Sequence, residues 1–299
     1  MLSGKVIVVT GAGRGLGRAY ARAVADSGAA VVVNDVDADA AGPVVDEIVA
    51  AGGRAVAVVA PVGPTETADR LVATAVAEFG RLDALVTNAG VLRDRTVAKM
   101  SDDDFDTVVE THLRGTFTCA RAAITRFREQ GDGGRLVLVG SPAGQRASFG
   151  QTNYSAAKAG IVGMTRTLAA ETARIGVTVN ALVPVALTRM VASIPALTDA
   201  VAAVERGEPV PAHLRESGLG TAEDVAPLLV YLLSDAAADV TGQALGVGGD
   251  RITVWSHPAV AAEMSREGGW TPEGVAEAFG PQLAPHLQPY APDAPAGAR

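Results

Sequence analysis

Three polar side chains have types and spacing that could move a proton. Tyr154 and Lys158 stand four residues apart in Tyr154-Ser155-Ala156-Ala157-Lys158, and Ser141 precedes the tyrosine by thirteen positions. Residues four apart share one face of a helix, so the ammonium is expected beside the phenol. A phenol titrates near pH 10, and bringing it to about 7 takes roughly 4 kcal/mol of preferential phenolate stabilisation. A fixed cation in a site with little water supplies energy of that order. Chance is a poor account of the pair. The chain has four tyrosines and three lysines, for which Tyr-x3-Lys is expected roughly 0.04 times.

A second stretch supplies a partner for the hydride. Thr10-Gly11-Ala12-Gly13-Arg14-Gly15-Leu16-Gly17 follows the first apolar run. Its glycines fit Thr-Gly-x3-Gly-x-Gly, not Gly-x-Gly-x2-Gly. They let the backbone turn sharply and approach a pyrophosphate at the N-terminus of a helix beginning near Gly15. Asp35 ends the second strand, where a carboxylate accepts hydrogen bonds from the adenosine ribose hydroxyls and repels a 2′-phosphate. It reads equally as a turn or cap residue in Asn34-Asp35-Val36-Asp37. Arg14 pulls the other way, because a guanidinium in the loop pairs with a 2′-phosphate. The carboxylate is expected to outweigh it, so NAD is favoured over NADP. Asn88-Ala89-Gly90 closes the fourth strand, where small residues border the two riboses or simply make a turn.

These residues need a scaffold, and the chain alternates short β-rich runs with Ala-rich helical stretches through residue 250. Strands are expected at 5–9, 30–34, 55–59, 84–87, 135–140, 178–182 and 244–247. Helices are expected near 15–27, 38–51, 66–79, 104–129, 154–174 and 222–234. Several strands are unbroken apolar runs, as in parallel strands covered on both faces. The alternation predicts an α/β fold: a doubly wound, mostly parallel seven-stranded Rossmann-type sheet with helices on both faces, plus a C-terminal extension. Residues 1–250 are read as a single catalytic domain. Within it, 189–219 carries Met190, Ile194, Leu197, Val201 and Leu214 and is longer than a crossover needs. Lying beside the carboxyl ends of the strands, it is expected to be a substrate lid, the alternative being a long helical connection. Residues 251–299 form the extension. Pro258 and Thr271-Pro272 read as helix starts, Trp255 and Trp270 as packing anchors, and the stretch from Pro281 as an extended arm or disordered.

Composition narrows the function classes. The 299 residues are 48% hydrophobic and 19% charged, as in a folded protein. A net charge of −8 with no long basic run argues against nucleic-acid and anionic-membrane partners. Cys119 is the single cysteine, and His112, His213, His257 and His286 show no ligand spacing, so no metal site is expected. Met1 leads directly into the first strand without a signal peptide, and no apolar run has transmembrane length, so the expected address is the cytoplasm.

Taken together, Thr10 to Gly17, Asn88-Ala89-Gly90, Ser141, Tyr154-x3-Lys158 and Val179-Asn180-Ala181-Leu182-Val183-Pro184 resemble the short-chain dehydrogenase/reductase family over residues 3–250. Gly17-Arg18-Ala19-Tyr20-Ala21, Val31 to Asp35, Leu92 to Arg95, His112 to Gly115 and Phe149 to Tyr154 are similar to its (3R)-hydroxyacyl-CoA dehydrogenases, found in peroxisomal multifunctional enzymes type 2 and bacterial relatives. The resemblance implies that Tyr154 is the general base for alcohol oxidation and the acid for ketone reduction. Ser141 then holds the substrate oxygen and stabilises its developing charge. Lys158 bonds the nicotinamide ribose and depresses the Tyr154 pKa. Cofactor contacts are implied at Gly11, Arg14, Gly15, Leu16, Gly17, Asp35, Val62, Asn88, Ala89, Gly90, Tyr154, Lys158, Pro184, Leu187 and Thr188. Family members associate, which implies a homodimer or homotetramer joined through helices 104–129 and 154–174.

Three positions depart from the family pattern. His112 stands where a relay asparagine is usual; it is expected either to pass a proton or to be a packed helical histidine. Pro61 replaces an aspartate near the adenine, and Val185 follows Pro184 in place of glycine. The reading is an NAD-dependent oxidoreductase interconverting a secondary alcohol and a ketone, on a 3-hydroxyacyl-CoA or a hydroxysteroid-type substrate. Arg93 and Arg95 are expected either to meet CoA phosphates or to be solvated loop residues. An NADPH-dependent 3-oxoacyl-carrier-protein reductase is the alternative enzyme, and an inactive dinucleotide-binding sensor or scaffold the alternative of another class.

Overall fold

A computed structural model describes residues 1–192 and 195–289. The chain divides into two compact units, Met1–Trp255 and Ser256–Arg299. The first is built on strands β1 (Val6–Val9), β2 (Ala30–Asp35), β3 (Arg54–Val59), β4 (Ala84–Thr87), β5 (Gly134–Val139), β6 (Val177–Pro184), β7 (Ala244–Gly248) and β8 (Arg251–Trp255). They form one sheet in the order β3-β2-β1-β4-β5-β6-β7-β8. Every neighbouring pair is parallel except β7 and β8.

Side-chain alternation in the strands splits the core into two apolar layers. Ile7, Val9, Val31, Val33, Val137 and Val139 point to one face, under α1 (Gly15–Asp26), α2 (Ala38–Ala50) and α9 (Ala226–Leu233). Val6, Val8, Val32, Leu85, Leu136 and Leu138 point to the other, under α3 (Thr65–Phe79), α5 (Gly115–Gln130) and α6 (Thr152–Thr172). With both faces covered, these strands gain nothing from a polar side, which is why they read as apolar runs. The order of strands reverses between β1 and β4, and the crevice at their carboxyl ends is where such sheets bind ligands.

The seven-stranded expectation is corrected by β8. Arg251-Ile252-Thr253-Val254-Trp255 doubles back after the Gly248–Asp250 turn and pairs with β7 antiparallel, Ala244 opposite Trp255 and Gly248 opposite Arg251. Its β-branched alternation is a strand signal in its own right. Trp255 packs with Val162, Ala181, Val183 and Ala244, so it anchors the sheet edge rather than a tail.

The long helix expected over 104–129 is also different in kind. Helix α4 (Asp102–Val109) starts with a Ser101/Asp104 capping box. It runs into a π-turn, Glu110–Arg114, before α5 begins at Gly115. A wider turn changes the angular register of the helix, and such bulges recur at functional positions. The bulge carries His112.

Residues 187–219 make a small layer of their own. Helices α7 (Thr198–Glu205) and α8 (Ala212–Glu216) bury Val201 and Val210 with Leu187, flanked by Val191, Leu197 and Leu214. Ile194 lies outside the described residues. Arg215 grips the base of this layer, bidentate on Asp224 (2.9 and 3.1 Å) and bonded to Asp250 (2.8 and 3.0 Å).

In the second unit, α10 (Pro272–Gln282) starts at a Thr271 cap that accepts from the Gly274 amide at 3.1 Å. Pro258 begins no helix. Pro281 and Pro285 lie in helical turns instead of an extended arm; Pro285 stands in the first turn of its segment, where the missing N–H removes no helical bond, and Pro281 is the next-to-last residue of α10. Residues 290–299, with Pro292 and Pro295, lie outside the described residues.

Candidate functional site

Ser141 leaves the end of β5, and Tyr154 and Lys158 lie one turn apart near the start of α6. All three are buried. The Ser141 hydroxyl accepts the Ala143 amide at 3.2 Å, capping the tight turn Pro142–Gly144. That turn is pressed onto α6. A Cβ on Gly144 would lie 2.5 Å from the Lys158 carbonyl carbon, so glycine sets the approach of Ser141 to the helix. Gly144→Ala is therefore expected to cost about 1–3 kcal/mol by overpacking and to lower kcat. Gly42→Ala, inside α2 with nothing within 4 Å of its added methyl, is the clash-free control and is expected to stabilise by about 0.5–1 kcal/mol with no loss of rate. Thermal melts and initial rates compare the two; equal effects would contradict the close-approach argument.

Asn153 fixes the start of α6. It is fully buried, its amide donates to the carbonyls of Arg93 (3.1 Å) and Asp104 (2.9 Å), and its oxygen accepts the Tyr154 amide (2.8 Å). The loop after β4 is tied to the same place by Gln151 donating to Asp94 (2.9 Å) and by Arg95 N–H donating to Gly150 C=O (2.9 Å). Asn153, Asp94 and Gly144 were not singled out from the sequence. Asparagine directly before the tyrosine was the one local signal for them.

The electrostatics differ from the sequence expectation. Lys158 was expected to depress the Tyr154 pKa. Instead burial dominates and pushes the phenol up, with the Ser141 hydroxyl pulling it down and Asp94 adding to the rise. The ammonium is itself desolvated, its pKa drawn down from 10.5 to about 7, and it donates to the Val139 carbonyl at 2.6 Å. It lies 5.5 Å from the centre of the Tyr154 ring. The ammonium bonds a backbone carbonyl rather than the phenol, and the Tyr154 shift is set by burial, Ser141 and Asp94.

The glycine loop joins β1 to α1. A Cβ on Gly17 would sit 2.0 Å from the Gly11 carbonyl oxygen, and one on Gly11 2.6 Å from the Ala89 Cα. Asn88 staples the loop to β4. Its amide donates to the Thr10 and Gly11 carbonyls, both at 3.0 Å, while the Thr10 hydroxyl accepts the Asn88 and Ala89 amides at 3.0 and 3.1 Å. Asn88 thus shapes the loop, a role beyond bordering a ribose. A Cβ added at Gly15 would meet only Thr188 Cγ2, at 4.0 Å. The α1 N-terminus has no side-chain cap and no acid in its first turn. Leu16 and Gly17 lie in that first turn. Free amides in an open glycine cradle fit a diphosphate.

Asp35 ends β2 with its carboxylate on the Gly13 (3.0 Å) and Asp37 (3.1 Å) amides. Arg14 does not face into the loop; its guanidinium pairs with Asp37. Val62 packs on Gly115 at the start of α5. Pro184 ends β6. Val185 N–H donates to Val247 C=O and Leu187 N–H to Gly220 C=O, so the segment towards Thr188 is held as an extended ledge despite the valine. Arg93 and Arg95 are exposed, each bonding a neighbouring backbone carbonyl. Among the described residues, no group of three His, Cys, Asp or Glu is placed to hold a metal. No described helix is long and apolar enough to cross a membrane.

The short chain dehydrogenase family model matches residues 5–197. Hydroxyacyl-CoA dehydrogenase ChsB1 of Mycobacterium tuberculosis is 43% identical over 284 residues, covering 91% of this chain and 86% of that protein. Peroxisomal hydratase-dehydrogenase-epimerase of Saccharomyces cerevisiae is 42% identical over 241 residues, 78% of this chain. The match spans only 25% of that longer protein. The crystal structure of a short chain dehydrogenase from Mycobacterium avium superposes with a TM-score of 0.84 at 40% identity, covering 97% of this chain and 98% of that one.

Proposed function

The chain belongs to the short-chain dehydrogenase family and is an oxidoreductase using a nicotinamide dinucleotide; from that premise we propose an NAD-dependent dehydrogenase that interconverts a 3-hydroxyacyl-CoA and its ketone. The observation that supports the chemistry is the convergence of Ser141, Tyr154 and Lys158, the phenol bonded to the Ser141 hydroxyl and the ammonium 5.5 Å from the phenol ring. The substrate class rests on the named activity of the 43% identical relative.

In this reading Tyr154 Oη takes the hydroxyl proton during oxidation and returns it during reduction. Ser141 Oγ donates a hydrogen bond to the same substrate oxygen and stabilises the charge that develops there. Lys158 Nζ leaves or shares its Val139 carbonyl to hold ribose hydroxyls. Gly11, Gly15, Leu16 and Gly17 present amides to the diphosphate, Asp35 holds the adenosine ribose, and the Asn88–Gly90 and Pro184–Thr188 segments wall the nicotinamide end. The bound nicotinamide supplies the hydride acceptor or donor. Residues 189–219 act as the substrate lid over this edge, and helices 104–129 and 154–174 form the contact of a homodimer or homotetramer.

The preference for NAD is supported by Asp35 at the end of β2 and by Arg14 being occupied with Asp37. Asp35→Ala is expected to lower kcat/KM with NAD about 10- to 100-fold, the effect of losing charge-assisted hydrogen bonds worth about 1.5–3 kcal/mol. Activity with NADP should rise at the same time. Kinetics with both dinucleotides test this, and a wild-type preference for NADP would overturn it.

A further inference from the structure

Resting on the reading of Tyr154 as the proton-transfer residue, we propose that His112 is a neutral positioning residue that fixes the Tyr154 ring and the Gly90–Val91 backbone, and that the substrate proton does not pass through it. The π-turn Glu110–Arg114 delivers the imidazole into the site, where it is 2% exposed. Three contacts hold it. Its Cε1 lies where a Gly90 side chain would be, 2.3 Å from an added Cβ. Its Nε2 is 3.1 Å from the Val91 amide and 2.8 Å from the Val91 carbonyl oxygen. Its ring meets the Tyr154 ring edge-on, with centroids 5.1 Å apart and planes at 86°, a favoured aromatic geometry.

A relay must take a proton on one nitrogen and release it from the other. On the Nε2 side stands one peptide N–H and one peptide C=O, and neither accepts a proton at ordinary pH. Either tautomer satisfies Nε2, by accepting the amide or donating to the carbonyl. Nδ1 is buried and bonds no described protein group, so the protein itself supplies a partner only on the Nε2 side, where the path ends at Val91. Passage through an imidazolium is opposed as well. Burial and the neighbouring Lys158 charge hold the ring pKa near 3, against a small opposing effect of the Val91 carbonyl. The charged neighbours on its own turn, Glu110 and Arg114, pair with each other at 3.2 Å on the surface and offer it no counter-ion. What remains is mechanical: the ring braces the phenol from one side and pins the backbone that leaves β4.

The test uses the full-length protein with His112→Gln and His112→Ala. A glutamine amide reaches the Nε2 position and can bond Val91, but carries no proton between two sites. Glutamine is expected to keep kcat within about tenfold of wild type. Alanine should lose about 10²-fold in kcat, the scale of a misplaced reacting group, with KM changed little and the pH midpoint of kcat unmoved. If glutamine is as inactive as alanine, or if added imidazole and its analogues restore the alanine variant in proportion to their basicity, the proton does travel through His112 and the proposal falls. A second readout needs no turnover. In 15N-histidine NMR of the wild type, His112 should stay neutral from pH 5 to 9, and a midpoint inside that range would overturn the proposal. That readout stands even where an alcohol panel shows no dehydrogenase activity, an outcome that would instead remove the functional reading.

Discussion

Tyr154→Phe is expected to lower kcat about 10³- to 10⁴-fold, the upper range for losing a positioned general acid–base, while NAD affinity changes less than about threefold. The ring stays, with its edge contact to His112 and its place on α6. Only the oxygen that meets Ser141 is removed. In the proposed function, dinucleotide binding draws on the glycine loop, Asp35 and Lys158, none of which depends on that oxygen. Calorimetric titration of NAD beside steady-state rates separates the two effects. Turnover within tenfold of wild type would sink the mechanism, and lost binding would assign the tyrosine a structural role. The same proton sets a pH sign. Burial raises the phenol, so the phenolate that oxidation needs grows steadily with pH. Alcohol oxidation should climb from pH 7 to 10 in the wild type and stay flat in the phenylalanine variant.

Lys158→Met is expected to abolish useful activity and yet stabilise the protein. Burial holds this ammonium near 7 against an ordinary 10.5. That gap corresponds to a folding penalty on the order of 4 kcal/mol at neutral pH. Methionine keeps most of the stem and removes the charge. It also loses the hydrogen bond to Val139, a charge-assisted bond worth about 1.5–3 kcal/mol. A net gain of about 1–2 kcal/mol raises Tm by roughly 2–8 °C in a chain of this size. The pH dependence follows from the depressed folded pKa. Between about pH 7 and 10.5 the unfolded chain holds the lysine proton and the folded chain does not, so wild-type stability rises with pH across that window. The methionine variant should lack that rise. Denaturant melts at pH 7 and pH 9.5 show it, and equal slopes for the two proteins would refute the assignment. Activity is expected to fall at least 10²-fold, since the group proposed to hold the ribose is gone.

Much of the scaffold was legible because local pattern and tertiary role agree. The valine-rich runs of β1, β2 and β6 are strands covered on both faces, and nothing in their surroundings overrides them. Lysine on the face of tyrosine follows from helical periodicity alone. What could not be read is how that pair is solvated. Burial depends on β5, the Glu110–Arg114 π-turn and the Pro142–Gly144 turn packing against the start of α6, and this reverses the expected direction for Tyr154. The π-turn at Glu110–Arg114 was equally hidden, because no residue type marks an extra backbone atom ring in a helix. Asn153 and Asp94 escaped notice since their partners lie 49 to 60 residues away. β8 is a different case. Its alternation is visible in the sequence, but it follows the strand–helix rhythm that ends at residue 250 and falls in the stretch read as a C-terminal extension.

The most direct test of the central claim is a kcat/KM panel with the wild-type protein, pairing 3-hydroxyacyl-CoAs and hydroxysteroids with NAD and with NADP. The site geometry and its named relatives predict reduction of NAD by a 3-hydroxyacyl-CoA, with the steroid and NADP arms at least tenfold lower. A preference for NADP, or no dinucleotide reduction by any secondary alcohol in the panel, would contradict it.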